Sequence, residues 1–225
     1  HELENFQDKR KEGENDSYLC SLIRNDSIKE FIILINKTNI KLNCTINPSL
    51  FETNPYLLDK NPSLIEYSAF YGSIQIFKYL INNKVTLTSS LWFYAIHSNN
   101  SELIYLLEEN NVKVPSNSFE VCLLEAIKCH HNEIAEYIQD NLINNFKMNE
   151  KVLEGSILNY NYLFIPEKLD ITNVFFYFCK SRNFNFVDIF MCNSKRYDDF
   201  ILISNYSFFI EFFMCYFNYI PLLII

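Results

Sequence analysis

The sequence is poor in glycine, with 3 residues among 225, and this scarcity argues against several classes of catalytic site. A phosphate-binding loop uses glycines so that backbone amides can approach the phosphates, and no such loop is present. The Gly-x-Ser-x-Gly turn of many hydrolases and the His-Glu-x-x-His signature of metalloproteases are absent too. The sequence therefore lacks the common signatures of an enzyme.

Positive charge is also scarce, since the 19 Lys and Arg residues are outnumbered by 27 Asp and Glu residues, and the net charge is −8. Proteins that bind a nucleic-acid backbone present a basic surface, so a nucleic-acid partner is not expected. No Cys-x-x-Cys occurs among the seven cysteines. An odd, unpatterned set of cysteines is typical of a reducing compartment rather than of a disulfide framework. We therefore expect a cytoplasmic protein.

What the sequence does contain is one pattern that occurs three times, over 63–85, 90–112 and 125–138. Small residues superpose in the three passes, at Ser68, Ala95 and Ala126. Their spacings of 27 and 31 residues lie in the range typical of stacked repeats. A residue suited to a turn follows in each pass, at Gly72, Asn99 and His130. Each pass therefore predicts two short amphipathic helices joined by a turn.

The first pass carries the clearest local signals. Ser63 is a fitting helix N-cap, and Glu66 three residues later completes a capping box. Asn82 and Asn83 suit the left-handed conformation in which many helices end. An apolar-x-apolar triplet follows each second helix and predicts a short extended finger, at 40–42, 85–87 and 112–114. One such unit cannot bury its own apolar face, so the units are expected to stack.

This pattern resembles the ankyrin repeat. The family's opening Thr-Pro-Leu-His-Leu-Ala-Ala corresponds to Ser63–Ala69, its next glycine to Gly72, and its Val-Val-x-Leu-Leu to Ile76–Leu80. The proline and histidine of the opening are absent, and the loop glycine is Asn or Lys, so the chain resembles a divergent member from an uncharacterised, lineage-expanded ankyrin subfamily. The resemblance implies an all-α solenoid of stacked helix-turn-helix repeats with short or degenerate fingers.

Four segments follow from this register. Residues 1–17 are charged and predict a polar, disordered lead-in. Residues 18–143 predict the repeat stack, in which a degenerate N-terminal cap precedes three clearer repeats. Its long, proline-containing connection at 43–61 is expected to hold a short helix that packs on the stack. A degenerate helical extension is predicted for 144–195, and an apolar, aromatic tail for 196–225.

The end of the tail, Phe200–Ile225, allows two interpretations. It contains one charged residue, Glu211, and is long enough to cross a bilayer, which takes about 20 apolar residues. Lys195 and Arg196 stand just before it, where a cytoplasmic anchoring charge belongs. Glu211 lies near the middle and opposes insertion, so we favour a cap on the exposed end of the stack. Association with a membrane through this tail is the alternative.

Residue types that bind metals concentrate near one predicted turn, at Cys129, His130, His131 and Glu133, with His97 one repeat earlier. The neighbouring repeat has Ser98–Asn100 at the same turn positions, so we interpret the cluster as a solvated turn and expect neither a metal nor another cofactor. We expect no histidine to be oriented beside Cys129 as a catalytic base. Trp92 occupies a core leucine position of the repeat and is expected to be buried.

The resemblance also implies a binding surface. On their concave face, ankyrin stacks expose the two residues before the turn glycine, and the fingers lie beside them. Carried over position by position, the paired residues are Arg24, Asn25, Phe70, Tyr71, His97, Ser98, Lys128 and Cys129, and the finger residues are 86–89 and 113–117. Phe70 and Tyr71 are the strongest candidates, since exposed aromatic residues are enriched at interface hot spots. Packing on the finger of a neighbouring unit is the alternative for this pair.

We therefore expect a non-catalytic, monomeric protein that binds a protein partner not identified by the sequence. The alternative is a repeat module of a larger chain whose catalytic or membrane-anchored part lies elsewhere or in the tail.

Overall fold

A computed structural model describes residues 2–58, 60–147 and 149–165 of the chain. It divides the chain into two compact units, His1–Asn144 and Asn145–Ile225. Within the described ranges, all regular secondary structure is helical and no strand forms, which confirms the all-α expectation there. Residues 166–225 lie outside the described residues, and with them the end of the predicted extension and the whole tail.

Ten α-helices occur in the described residues: α1 (Glu2–Glu12), α2 (Tyr18–Arg24), α3 (Ile28–Thr38), α4 (Leu64–Phe70), α5 (Ile74–Asn82), α6 (Leu91–His97), α7 (Ser101–Glu109), α8 (Glu120–Lys128), α9 (Asn132–Tyr137) and α10 (Glu150–Leu158). Short 3₁₀ turns lie at Pro115–Asn117 and Tyr162–Phe164, and a π-helical turn follows α9 at Ile138–Leu142. Helices α2 to α9 form four pairs. We call α2, α4, α6 and α8 the first helices, and α3, α5, α7 and α9 the second helices.

The turn between the two helices of each pair contains a residue in the left-handed region. These residues are Asp26, Gly72, Asn99 and His130, with φ between 48° and 70°. The expected turn positions are therefore confirmed at three sites, and the first pair uses Asp26 in the same way. Only glycine adopts this conformation without strain, although Asn and Asp tolerate it better than most residues.

The capping box predicted at the start of α4 is present. The Ser63 amide donates to Glu66 Oε2 at 2.8 Å, and the Glu66 amide donates to Ser63 Oγ at 3.4 Å. The end of α5 differs from the expectation. Asn83 has φ −89°, whereas Lys84 takes the left-handed conformation at φ 56°. Lys84 makes this turn because the chain must reverse direction there for the next residue, Val85, to be buried in the core.

The first helices pack against one another in chain order, with α2 on α4, α4 on α6 and α6 on α8. The three predicted small residues, Ser68, Ala95 and Ala126, are fully buried, which lets these helices approach closely. Trp92 is 1% exposed, and its indole Nε1 donates to the Val112 carbonyl at 3.2 Å. The core position expected for Trp92 is therefore confirmed.

The disordered lead-in expected at 1–17 needs correction, because Glu2–Glu12 forms helix α1. Its residues are strong helix formers, and Lys9, Arg10 and Lys11 in its last turn complement the helix dipole. The residues that follow are held by hydrogen bonds to the long connection. The Thr53 amide donates to the Gly13 carbonyl at 2.9 Å, and Asn15 Nδ2 donates to the Asn47 carbonyl at 2.9 Å.

The connection between the first two pairs packs on the helices of the first unit, as expected, but it does not hold a regular helix in its described part. A single helical turn forms where the amides of Leu57 and Leu58 both donate to the Asn54 carbonyl. Leu57 is buried, and an isolated antiparallel bridge joins Thr45 to Ser63. We call residues 43–62 the connecting segment.

In the second unit, the described residues contain α10, in agreement with the helix expected there. Asn149 caps its start, since Asn149 Oδ1 accepts from the Val152 amide at 3.1 Å. Val152, Leu153 and Ile157 are buried. None of the helices in the described ranges has the length and apolar character needed to cross a bilayer.

Candidate functional site

The predicted partner-binding residues lie at or beside the C-terminal ends of the first helices, and the structure brings four of these ends together. The Arg24 guanidinium lies 5.9 Å from the centre of the Tyr71 ring. The Phe70 and His97 rings are 5.7 Å apart, and Cys129 Sγ is 3.7 Å from His97 Nδ1. We call the eight predicted residues at these ends the helix-end row: Arg24, Asn25, Phe70, Tyr71, His97, Ser98, Lys128 and Cys129.

The polar side chains of Asn25, Ser98 and Arg24 form hydrogen bonds or ion pairs within the fold. Asn25 Nδ2 donates to the Ser21 carbonyl at 2.9 Å, and Ser98 Oγ donates to the Ala95 carbonyl at 2.7 Å, so each satisfies its own helix end. Arg24 forms an ion pair with Glu14 at 2.6 Å and donates to the Tyr67 hydroxyl at 3.1 Å. These contacts attach the N-terminal segment to α2 and α4, so Arg24 has a structural role.

The middle of the row is an aromatic cluster that includes a residue from the connecting segment. The Tyr56 ring is parallel to the Phe70 ring at 5.8 Å, and its centre is 3.8 Å from that of the His97 ring. Tyr94 completes the cluster at 5.3 Å from Tyr56, and Lys60 Nζ lies 3.1 Å above the Tyr56 ring. Phe70 thus packs on the connecting segment. Burial raises the pKa of the Tyr56 phenol.

Tyr71, the second favoured residue, lies beside this cluster. Its ring centre is 4.8 Å from that of Tyr67 and 5.1 Å from that of Phe70. The side chain is half-buried, and burial raises the pKa of Tyr71 to about 12. Phe70 and Tyr71 therefore form part of a packed surface that still reaches solvent.

At the other end of the row, His97, Glu125 and Cys129 lie side by side. His97 Nε2 is 2.9 Å from Glu125 Oε1, and each of these two side chains is 17% exposed. Glu125 and Cys129 are four residues apart on α8 and its C-cap, which puts them on one face. The hydrogen bond from His97, helped by the Lys128 ammonium, lowers the pKa of the Glu125 carboxyl, whereas burial raises the pKa of the Cys129 thiol to about 11.

This arrangement corrects the expectation that no oriented histidine stands beside Cys129. His97 from the preceding pair occupies that place, and Glu125 fixes its ring. The pair is nevertheless poorly suited to nucleophilic catalysis. Cys129 Sγ is 3.7 Å from Nδ1 and 3.8 Å from Nε2, so it is aligned with neither ring nitrogen. A thiol with a raised pKa is also rarely the reactive thiolate.

The metal-binding residue types predicted near the turn do not converge as a group. His131 Nδ1 lies 2.6 Å from the Ile96 carbonyl and ties the turn to α6, while His130 is the left-handed turn residue. Glu133 lines a different groove. Among the described residues, the ligand atoms that do come together, all within 4.8 Å of one another, belong to His97, Glu125 and Cys129. Glu125 carried no signal in the sequence, because its role depends on how α8 packs against α6.

A concave feature apart from the row lies between two of the second helices, α7 and α9. It is an open groove of about 290 Å³. Its lining is mainly apolar and aromatic, and consists of Asn99, Ser101, Ile104, Tyr105, Glu133, Ile134 and Tyr137. Tyr105 is 60% exposed, and the Tyr137 hydroxyl donates to Glu108 Oε1 at 2.9 Å. Sequence reasoning did not identify this groove.

The comparisons with known proteins found no relative. No protein-family model matches the chain, and neither the curated proteins nor the solved structures contain a match.

Proposed function

We propose that this chain is a divergent ankyrin-repeat protein that binds a protein partner through its helix-end row and carries out no catalysis. The observation that carries the proposal is the row's continuity. Side chains from four successive helix ends come within ring-packing or hydrogen-bonding distance of their neighbours, at 5.9 Å, 5.7 Å and 3.7 Å.

The helix packing supports the ankyrin part of the proposal. Each of the four pairs turns on one left-handed residue, and successive first helices are in contact. Left-handed residues recur after three of the second helices as well, at Asn39, Lys84 and Asn111. A stack of this kind buries part of its surface between neighbouring units, which agrees with the fully buried Ser68, Ala95 and Ala126 on successive first helices.

The chemistry of the row supports a protein partner. Half-buried aromatic rings beside charged groups resemble an interface hot spot, in which large rigid side chains supply contact area without much loss of entropy. The groups available at the surface are Phe70 and Tyr71, the covering Tyr56 and Lys60, and Lys128, whose side chain is 55% exposed. The seven cysteines form no Cys-x-x-Cys pattern, and such an odd, unpatterned set favours a reducing compartment such as the cytoplasm.

The proposal can be tested by partner capture with matched variants. We expect Phe70→Ala combined with Tyr71→Ala to weaken binding by about 30-fold or more, since hot-spot residues contribute roughly 2 kcal/mol or more. Because these rings also pack within the fold, Lys128→Ala provides a second variant, which removes a side chain that is 55% exposed together with its surface ion pair to Glu125. The control is Tyr105→Ala combined with Tyr137→Ala, which changes two aromatic residues of the groove.

The proposal predicts that both row variants lose the partner while the control retains it, with the helical circular dichroism of all three unchanged. Equal binding by the folded row variants would contradict it. The alternative, a repeat module within a larger chain, would use the same surface and predicts the same result for the isolated chain.

A further inference from the structure

We propose that His97, Glu125 and Cys129 bind a divalent metal ion of the zinc class, with a fourth coordination position left to water or to an incoming ligand. The three side chains come from two first helices whose packing brings their ends together. This inference does not depend on the identity of any protein partner.

The ligand types fit zinc. An imidazole nitrogen, a carboxylate oxygen and a thiolate sulfur are the three kinds of side-chain ligand that zinc takes, and thiolate with imidazole disfavours magnesium and calcium. Three protein ligands with one open position are typical of zinc sites that bind a further molecule, whereas purely structural sites use four. Because His97 and Glu125 are each 17% exposed, solvent can reach the site.

The distances require only small side-chain movements. In a tetrahedral zinc site the ligand nitrogen and oxygen are about 3.3 Å apart, and the nitrogen and sulfur about 3.6 Å apart. Here His97 Nε2 is 2.9 Å from Glu125 Oε1 and 3.8 Å from Cys129 Sγ. A rotation of the His97 ring opens the first distance and directs Nε2 between the other two atoms. The Glu125 oxygen and Cys129 Sγ, which lie within 4.8 Å of each other, turn toward the same point by side-chain rotation.

Two neighbouring groups determine how the ion can enter. The Tyr56 ring covers one face of the His97 ring at 3.8 Å, which leaves free the ring plane in which an imidazole nitrogen binds a metal. Lys128 Nζ lies 3.1 Å from Glu125 Oε1, where it competes with the ion for the carboxylate. The Lys128 side chain is 55% exposed and can turn into solvent when a divalent ion replaces its single charge.

Binding has a balanced proton count. The Cys129 thiol loses its proton to solvent as sulfur bonds to the metal. The metal bonds to Nε2 of the neutral His97 ring, and the proton that Nε2 directs at Glu125 moves through solvent to Nδ1, so the ring stays neutral and one proton is released in all. Glu125 then exchanges its hydrogen bond from His97 for the metal. No oxidant or reductant is needed.

Cobalt(II) provides a direct probe, because thiolate bonded to cobalt gives an intense near-ultraviolet absorption. We expect the reduced, metal-free full chain to bind one equivalent of Co²⁺ with this absorption, and Zn²⁺ to displace it. Cys129→Ser should abolish the absorption, whereas Cys44→Ser, which alters a half-buried thiol outside the site, should retain it. His97→Gln and Glu125→Gln should each weaken cobalt binding by at least about tenfold, since even changes to the outer-shell partners of metal ligands cost 10- to 100-fold.

The absence of a cobalt–thiolate absorption in the parent chain would overturn the proposal. Its persistence in Cys129→Ser would also overturn it, since another cysteine would then supply the sulfur. Unchanged affinity in His97→Gln or Glu125→Gln would exclude this ligand set. Lys128→Ala tests the site without removing a ligand: it should tighten Zn²⁺ binding by removing a competing charge, and unchanged or weaker binding would contradict the proposal. Circular dichroism of each metal-free variant establishes that the fold is retained.

Discussion

The first helices and the second helices of the first unit meet their neighbours in different ways. The first helices pack in series, and the surface at their ends is covered in part by Tyr56. The second helices α7 and α9 instead leave an open groove, in which Tyr105 is 60% exposed. Small residues explain the difference, because Ala95 and Ala126 let α6 and α8 approach closely, whereas α7 and α9 present bulky side chains to each other.

The comparison shows where stability and binding are expected to reside. The first helices pack closely and so form a rigid core. The polar and aromatic side chains of the helix-end row give their C-terminal ends an ordered surface. The groove has apolar lining, but its tyrosines contribute little to the core. An aromatic residue is therefore expected to contribute more to the free energy of unfolding at the helix-end row than in the groove. Variants at the two sites can measure that difference.

The largest effect is expected from enlarging a small residue between the first helices. Ala95 is fully buried on α6, which contacts both α4 and α8. Ala95→Leu should lower the free energy of unfolding by about 2–3 kcal/mol, because a packed site cannot accept the added methyl groups without strain. Glu136→Leu on α9, at an exposed position, should change it by no more than about 0.5 kcal/mol. Urea unfolding measures both values, and equal losses would show that the first helices are not tightly packed at Ala95.

An intermediate effect is expected from removing the central ring of the row. Phe70 packs against the rings of Tyr56, Tyr71, Tyr94 and His97. Phe70→Ala should cost about 2 kcal/mol, which is below the value for a fully buried phenylalanine because the ring is half-exposed. Tyr105→Ala is the matched control and should cost no more than about 0.5 kcal/mol. If Tyr105→Ala costs as much as Phe70→Ala in urea unfolding, the groove tyrosine is part of the core after all.

The smallest effect concerns alkaline pH. Burial raises the pKa of Tyr71 and of Tyr94 from 10.0 to about 12. The unfolded chain therefore loses these protons near pH 10 while the folded chain still holds them. Their contribution to stability is complete below pH 10 and is lost as the pH rises toward 12.

The urea midpoint should accordingly fall between pH 9 and pH 11. A variant with Tyr71→Phe and Tyr94→Phe should lose less stability over the same range. An identical decline in that variant would show that other groups determine the alkaline limit.

The sequence predicted those parts of the fold that depend on neighbouring residues along the chain. The capping box of Ser63 and Glu66, the turns at Gly72 and Asn99, and the buried Trp92 all follow from local pattern and repeat register. The helix at Glu2–Glu12 was mistaken for disorder, because a charged segment with few apolar residues gives no sign of the hydrogen bonds that hold the residues after it.

The contacts of the candidate site were harder to predict, because they join residues that are far apart in sequence. The position of Tyr56 over His97 depends on the path of a proline-containing connection with no repeat register. The bond between His97 and Glu125 depends on the rotation of α8 against α6. A repeat pattern identifies which positions face the same way, but it does not specify which side chains meet there.

Site-specific photo-crosslinking can show whether a partner touches the helix-end row, because it reports the contacted surface without requiring loss of binding. A photoreactive amino acid is placed at position 128 in one variant of the chain and at position 105 in another, and each is irradiated in cells. If the partner binds at the helix-end row, we expect crosslinked protein adducts from position 128, which lies in that row. We expect none from position 105, which lies in the groove between α7 and α9. Adducts from position 105 alone would contradict binding at the row.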